Sequence, residues 1–76
     1  MKSMKIKLDS IDKVKRFVNA VNKFDGDIDL VSDRFVVDAK SIMGIFSLDL
    51  SGSITLNAHN GAEFDKLSAE LREFAS

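Results

Sequence analysis

The sequence contains no cysteine, so neither disulfide bonds nor a thiolate metal site can hold the fold together, and the apolar core has to suffice. It contains no proline either, which leaves glycine as the main punctuation between elements. No window approaches 18 consecutive apolar residues, and the amino terminus MKSMKIKLDS alternates charged and apolar residues without an apolar run of signal-peptide length. A cytoplasmic location with no membrane partner is therefore expected. Neither sign of charge dominates, with 11 Lys and Arg against 12 Asp and Glu, and this balance points away from nucleic acid as a direct partner. There is no Pro/Ser-rich linker, low-complexity tract or internal repeat. No glycine-rich phosphate loop and no nucleophile–base pairing is present, so neither an independent enzyme activity nor a bound cofactor is expected.

What is present is the composition of an ordinary soluble globular protein, 45% hydrophobic and 30% charged. Residues 1–76 are expected to form one domain, because a core at this length buries only about 60% of the unfolded surface and cannot be divided further. Stability on the order of 4 to 11 kcal/mol follows from the length.

The hydrophobic periods give the order of elements. Met4, Ile6 and Leu8 alternate with Lys5 and Lys7, the period of a strand with one buried and one wet face. Ile11, Val14, Phe17, Val18, Val21 and Phe24 then recur at three- and four-residue spacing, which predicts an amphipathic helix over 11–24 with Lys13, Arg16, Asn19 and Lys23 outside. Asp12 and Arg16 form a favourable i,i+4 pair on it. After Asp25 and Gly26, where glycine can end the helix in a left-handed conformation, DIDLVS and RFVVDA read as a hairpin joined near Ser32 and Asp33. Residues 41–48 read as a short helix, and 53–58 as a fourth strand with Ile54, Leu56 and Ala58 inward. Asn60 fits an N-cap, with Glu63 three positions later and Phe64, Leu67, Leu71 and Phe74 as the stripe of a final helix. The order βαββαβα, with amphipathic strands, predicts an α+β fold: a four-stranded antiparallel sheet with three helices on one face and water on the other. Lys5, Lys7, Asp27, Asp29, Thr55 and Asn57 form the wet face.

Few residues carry chemistry in this frame. Ser41 stands directly before the short helix, where its hydroxyl can accept a hydrogen bond from the first turn, and that cap alone explains it. Ile42, Met43 and Phe46 are bulky for so short a segment. If Ile45, Leu48 and Leu50 turn inward, one side of the helix stays exposed; Ile42 and Phe46 fit core or surface equally, whereas the flexible thioether of Met43 suits a surface that meets partners. Gly44 permits close packing there, at a helix-propensity cost of up to about 1 kcal/mol. His59, the one histidine, reads as an exposed strand-end residue on the wet face; an isolated imidazole is a weak signal for phosphotransfer or metal. The acidic pairs Asp9/Asp12 and Asp27/Asp29 read as solvated, the second near Lys5 or Lys7, and no metal site is expected.

Three stretches resemble the HPr family, the histidine-containing phosphocarriers of the bacterial sugar phosphotransferase system. KSIMGIFSLDL (40–50) is similar to that family's regulatory-serine helix, NKFDGDIDL (22–30) to the end of its first helix and its second strand, and SITLNAHNG (53–61) to its fourth strand and following turn. The resemblance spans roughly residues 4–75. It implies an open-faced β-sandwich in which the first strand neighbours the fourth, the fourth the second, and the second the third.

The family carries phosphate on a histidine at the start of the first helix, followed by an arginine and a proline. Counting back without gaps from NKFDGDIDL puts Ser10 at the histidine position, Asp12 at the arginine position and Lys13 at the proline position. No register finds a histidine there, because none precedes residue 59. The chain thus resembles the catabolite-repression HPr paralogues, which lack the histidine and keep the serine. The resemblance makes Ser41 the site modified by HPr kinase/phosphorylase, with Lys40, Ile42, Met43 and Phe46 as the docking patch for that kinase, a LacI-type transcription regulator or other phosphotransferase-system proteins. Two alternatives stay open: an unphosphorylated binding module or decoy, and a phosphocarrier using an atypical residue such as Ser10 or His59.

Overall fold

The structure is a computed structural model describing residues 2–59 and 63–76. Along the chain run β1 (Lys2–Ile6), α1 (Ile11–Val21), β2 (Ile28–Ser32), β3 (Phe35–Asp38), α2 (Ile42–Phe46), β4 (Ile54–Ala58), α3 (Phe64–Glu70) and a final 3-10 turn at Arg72–Phe74. The four strands make one antiparallel sheet in the order β1-β4-β2-β3. Fold class, element order and strand neighbours are those expected.

Alternation along the strands sets the two sides of the sheet. Ile6, Ile28, Leu30, Ile54, Leu56 and Ala58 point inward and are buried. The register puts Leu56 between Met4 on one neighbour and Leu30 on the other. Against this face pack Val14, Phe17 and Val21 of α1, Ile45 of α2, and Leu67, Leu71 and Phe74 from the carboxy-terminal elements, in one core cluster. Side chains of opposite parity, among them Lys5, Asp29, Thr55 and Asn57, form the open face, where Lys5 Nζ donates to Thr55 Oγ1 at 2.8 Å.

Several boundaries differ from the sequence expectation. β1 starts at Lys2 and ends at Ile6, so Leu8 is buried in the connection rather than in the strand. α1 stops at Val21, with Asn22 capping it in right-handed helical geometry. Gly26 does adopt positive φ, 94°, but within the following turn and not as the helix cap. Ile11, expected on the apolar stripe, is 64% exposed, because no further turn of helix precedes it to be covered. The hairpin turns on Asp33 and Arg34, with Asp33 at φ 55°. The expected cap Asn60 lies outside the described residues; α3 begins at Phe64, and Glu63 precedes it without a side-chain capping bond.

The final helix is also shorter than its stripe, and the reason lies at the other end of the chain. Residues 74–76 run back along β1: Ile6 bridges Ala75, Lys7 N donates to Phe74 O at 2.8 Å, and Ser76 N donates to Lys5 O at 3.1 Å. An extended tail cannot continue the helical spiral, so the helix yields at Leu71. This turn drives Phe74 into the core, where its ring meets Phe17 edge-on with centroids 5.6 Å apart. Arg16 of α1 also pairs with both Asp12 and Glu73, tying the two segments at the surface.

Phe74→Ala is therefore expected to lower the unfolding free energy by about 3–5 kcal/mol in urea denaturation. A loss under about 1 kcal/mol would show that the tail is not part of the cooperative core.

Candidate functional site

Two serines begin the two amino-proximal helices in the same way. Ser10 Oγ accepts from Lys13 N at 3.1 Å and Ser41 Oγ accepts from Gly44 N at 3.1 Å. Each has extended backbone geometry, as an N-cap requires. Ser10 is exposed and Ser41 half-buried.

α2 divides as its residue types predict. Ile45 and Leu48 are buried, Ile42 packs half-buried against the core, Met43 is 78% exposed and Phe46 44% exposed. Leu50, expected to turn inward, is only partly buried. A Cβ on Gly44 would stand 3.2 Å from Val37 Cβ, tighter than an ordinary contact, so the glycine sets how closely α2 lies against β3.

Between the start of α1 and the end of α2 lies an open apolar groove of about 480 Å³, lined by Leu8, Asp9, Ser10, Ile11, Phe46, Leu50 and Ser51. It brings together Ser10 and Phe46, which the sequence singled out for different reasons. Ile11 and Leu50 were missed as surface residues because each continues an apolar pattern that reads as core. The one available signal was that Ile11 directly follows a capping residue. The groove rim carries stabilised negative charge: the side-chain hydrogen bond from Lys13, then its attraction at 3.2 Å, hold the Asp9 carboxyl below its ordinary value. The Ser51 hydroxyl and amide do the same for Asp49.

The other candidates lie apart from the groove. Asp12 is exposed and paired with Arg16 Nε at 3.1 Å. Lys40 turns to the α1–β2 connection, where its ammonium donates to Phe24 O at 2.6 Å and Gly26 O at 3.3 Å, while its amide donates to Asp38 Oδ1. Its charge is thereby bound to backbone carbonyls rather than extended beside Ser41. His59 is on the open face of the sheet, its Nε2 2.7 Å from Asp29 Oδ2, so Asp29 has the histidine as partner and not the lysine neighbour expected. Among the described residues, no group of three or more His, Asp or Glu side chains is arranged to hold a metal ion.

These contacts separate two kinds of residue on α2. Ser41→Ala should cost about 1 kcal/mol of stability through loss of the cap, while Met43→Ala should stay within about 0.5 kcal/mol of the parent. Chemical denaturation of both variants checks this, and equal effects would contradict the division.

A model of the PTS-HPr family, described as the PTS HPr component phosphorylation site, matches residues 13–76. The matched span begins at Lys13, after Ser10 and Asp12. The crystal structure of HPr-C-His from Thermoanaerobacter tengcongensis is similar to this chain with a TM-score of 0.78 and 32% sequence identity, over 96% of this chain and 92% of that one. With the family match covering most of the sequence, and a solved member 32% identical over nearly the whole of both chains, the chain belongs to the HPr family of the sugar phosphotransferase system.

Proposed function

We propose that this chain is a regulatory phosphoprotein of its family, lacking the phosphoacceptor histidine, modified at Ser41 and read by protein partners that dock on α2. The observation that carries the reading is the pairing of a helix-capping serine with exposed apolar side chains one turn away, while the only imidazole stands on the opposite side of the sheet. Ile42, Met43 and Phe46 are the docking residues, with Lys40 behind them as the tie that holds the helix start to the α1–β2 turn.

The carrier position supports the same assignment. A phosphocarrier needs an imidazole nitrogen, nucleophilic near neutral pH and able to form a labile phosphoramidate. Serine at position 10 would form a far less transferable ester. Asp12 would set negative charge near it, where a guanidinium would clamp a phosphate.

Modification of Ser41 suits the local structure. HPr kinase/phosphorylase would transfer the γ-phosphoryl of ATP to Ser41 Oγ: the new O–P bond forms, the bond to ADP breaks, and the hydroxyl proton leaves to the kinase base or solvent. The added charge of roughly −1.5 to −2 meets the free amides at the start of α2, so phosphorylation changes the docking surface without requiring the helix to unfold. The readers would be a LacI-type transcription regulator or other phosphotransferase-system proteins in the cytoplasm, in control of carbon catabolism. On this reading the 76 residues act as one domain with no catalysis of their own.

The exposure of Met43 and Phe46 also favours one second reading, an unmodified docking module or decoy. Incubation with HPr kinase and ATP separates the two: the regulatory reading predicts one label on the wild type, absent from Ser41→Ala, and altered partner affinity in Ser41→Asp. An unlabelled wild type, or a Ser41→Ala variant that still takes the label, would overturn it. Equal partner binding by wild type and Ser41→Asp would favour the module.

A further inference from the structure

The sequence has no cysteine, tryptophan or tyrosine, which leaves its three methionines as the side chains open to mild oxidation. Their surroundings differ. Met4 stands opposite Leu56 of β4 and packs, partly buried, against the core, and Met1 lies outside the described residues. Met43, in the first turn of α2, is the most exposed large hydrophobic side chain among the described residues.

Exposure decides both how readily each sulfur reacts and what its reaction does. An oxidant reaches the Met43 sulfur without any opening of the fold, whereas core packing covers part of Met4. Oxidation converts the apolar thioether into a polar sulfoxide. At Met4 that dipole would be set against the core, at a desolvation cost. At Met43 it stays in water, so the fold is kept and only the surface changes. That surface is the face of α2 on which Met43 and Phe46, three residues apart, are neighbours, beside the Ser41 hydroxyl that caps the helix at Gly44 N.

We propose that Met43 is a reversible oxidation site, whose sulfoxide form weakens the docking of protein partners on α2 while the fold stays intact. The inference rests on α2 being the docking face, as proposed above. With hydrogen peroxide as oxidant, a lone pair on Met43 Sδ attacks one peroxide oxygen. The S–O bond forms as the O–O bond breaks, and the sulfur gives up two electrons. The departing hydroxide takes the proton of the transferred oxygen and leaves as water. A methionine sulfoxide reductase supplied with a dithiol reverses the change: the oxygen leaves as water and the two thiols become a disulfide. The loss of an apolar anchor acts on partner binding, because Met43 touches too little of the core to act on folding.

Partial oxidation with hydrogen peroxide, quenched by catalase and followed by HPr kinase with ATP, tests this. Cleavage after lysine puts Met4 in peptide 3–5 and Met43 together with Ser41 in peptide 41–66. One mass spectrum therefore reads sulfoxide and phosphate on the same molecules. Met43 should oxidise before Met4, with the circular dichroism spectrum unchanged. At limiting kinase the oxidised molecules should take the label more slowly, on the order of tenfold, through KM rather than kcat. Reductase treatment should restore the rate, and Met43→Leu should be labelled equally fast with and without peroxide. Oxidation of Met4 at the same rate, or unfolding on oxidation of Met43 alone, would contradict the proposal. Equal labelling of oxidised and unoxidised molecules would sink it while leaving the Ser41 reading intact. No label on either form would overturn that reading and this inference with it.

Discussion

The placement of β4 between β1 and β2 is the constraint on which the rest of the structure depends. It is the last strand made, yet it pairs with the first strand through Ile6–Ile54 and with the second through Leu30–Leu56. A slip of one residue in either register would turn Ile54, Leu56 and Ala58 to the open face and put Thr55 and Asn57 in the core. The buried side of β4 therefore holds both registers at once. β1 leads directly into α1, and the β2–β3 hairpin leads directly into α2, so the same pairing brings the start of the first helix beside the end of the second. The groove between Ser10 and Phe46 follows from strand order, not from any attraction between those residues.

The same long-range logic explains which parts of the molecule were legible in the sequence. Residues 54–58 read correctly because one face is buried and the other wet, which leaves a period of two in the residue types. The stripe of α1 and the inward Ile45 and Leu48 were readable for the analogous helical reason. The early end of α3 was not, because it is decided by pairing of the tail with β1 at the far end of the chain, which no local pattern encodes. Asp29 was assigned a lysine neighbour although His59 takes it, since both choices satisfy strand alternation. Lys40 reads as part of the docking patch because its neighbour is Ser41, whereas its reach is determined by where the α1–β2 turn leaves two carbonyls. The candidate site was accordingly legible in its capping serine and in Met43, and illegible in the groove that joins Ile11 and Leu50 to Phe46.

The two roles considered for Ser41 draw on one property. The amides at the start of α2 lack helical acceptors; that of Gly44 binds the serine hydroxyl, and together they would favour a phosphate if Ser41 were modified as proposed. The cap therefore makes the site structurally tolerant of phosphorylation, and the exposed side chains beyond it give the change something to alter. The opposite holds at Ser10. Its cap is chemically similar, but the neighbouring carboxylates Asp9 and Asp12 belong to ion pairs with Lys13 and Arg16, leaving those cations already engaged.

The central claim is that phosphate-dependent function in this chain has moved from carrier transfer to the serine of α2. Its most direct test is exposure of the protein to enzyme I charged by phosphoenolpyruvate, followed by mass spectrometry at neutral pH, where a phosphohistidine survives. The account predicts no transfer to any residue under conditions that charge a histidine-bearing member of the family. Transfer to His59, seen as an acid-labile label lost in His59→Ala, or transfer to Ser10, would contradict it.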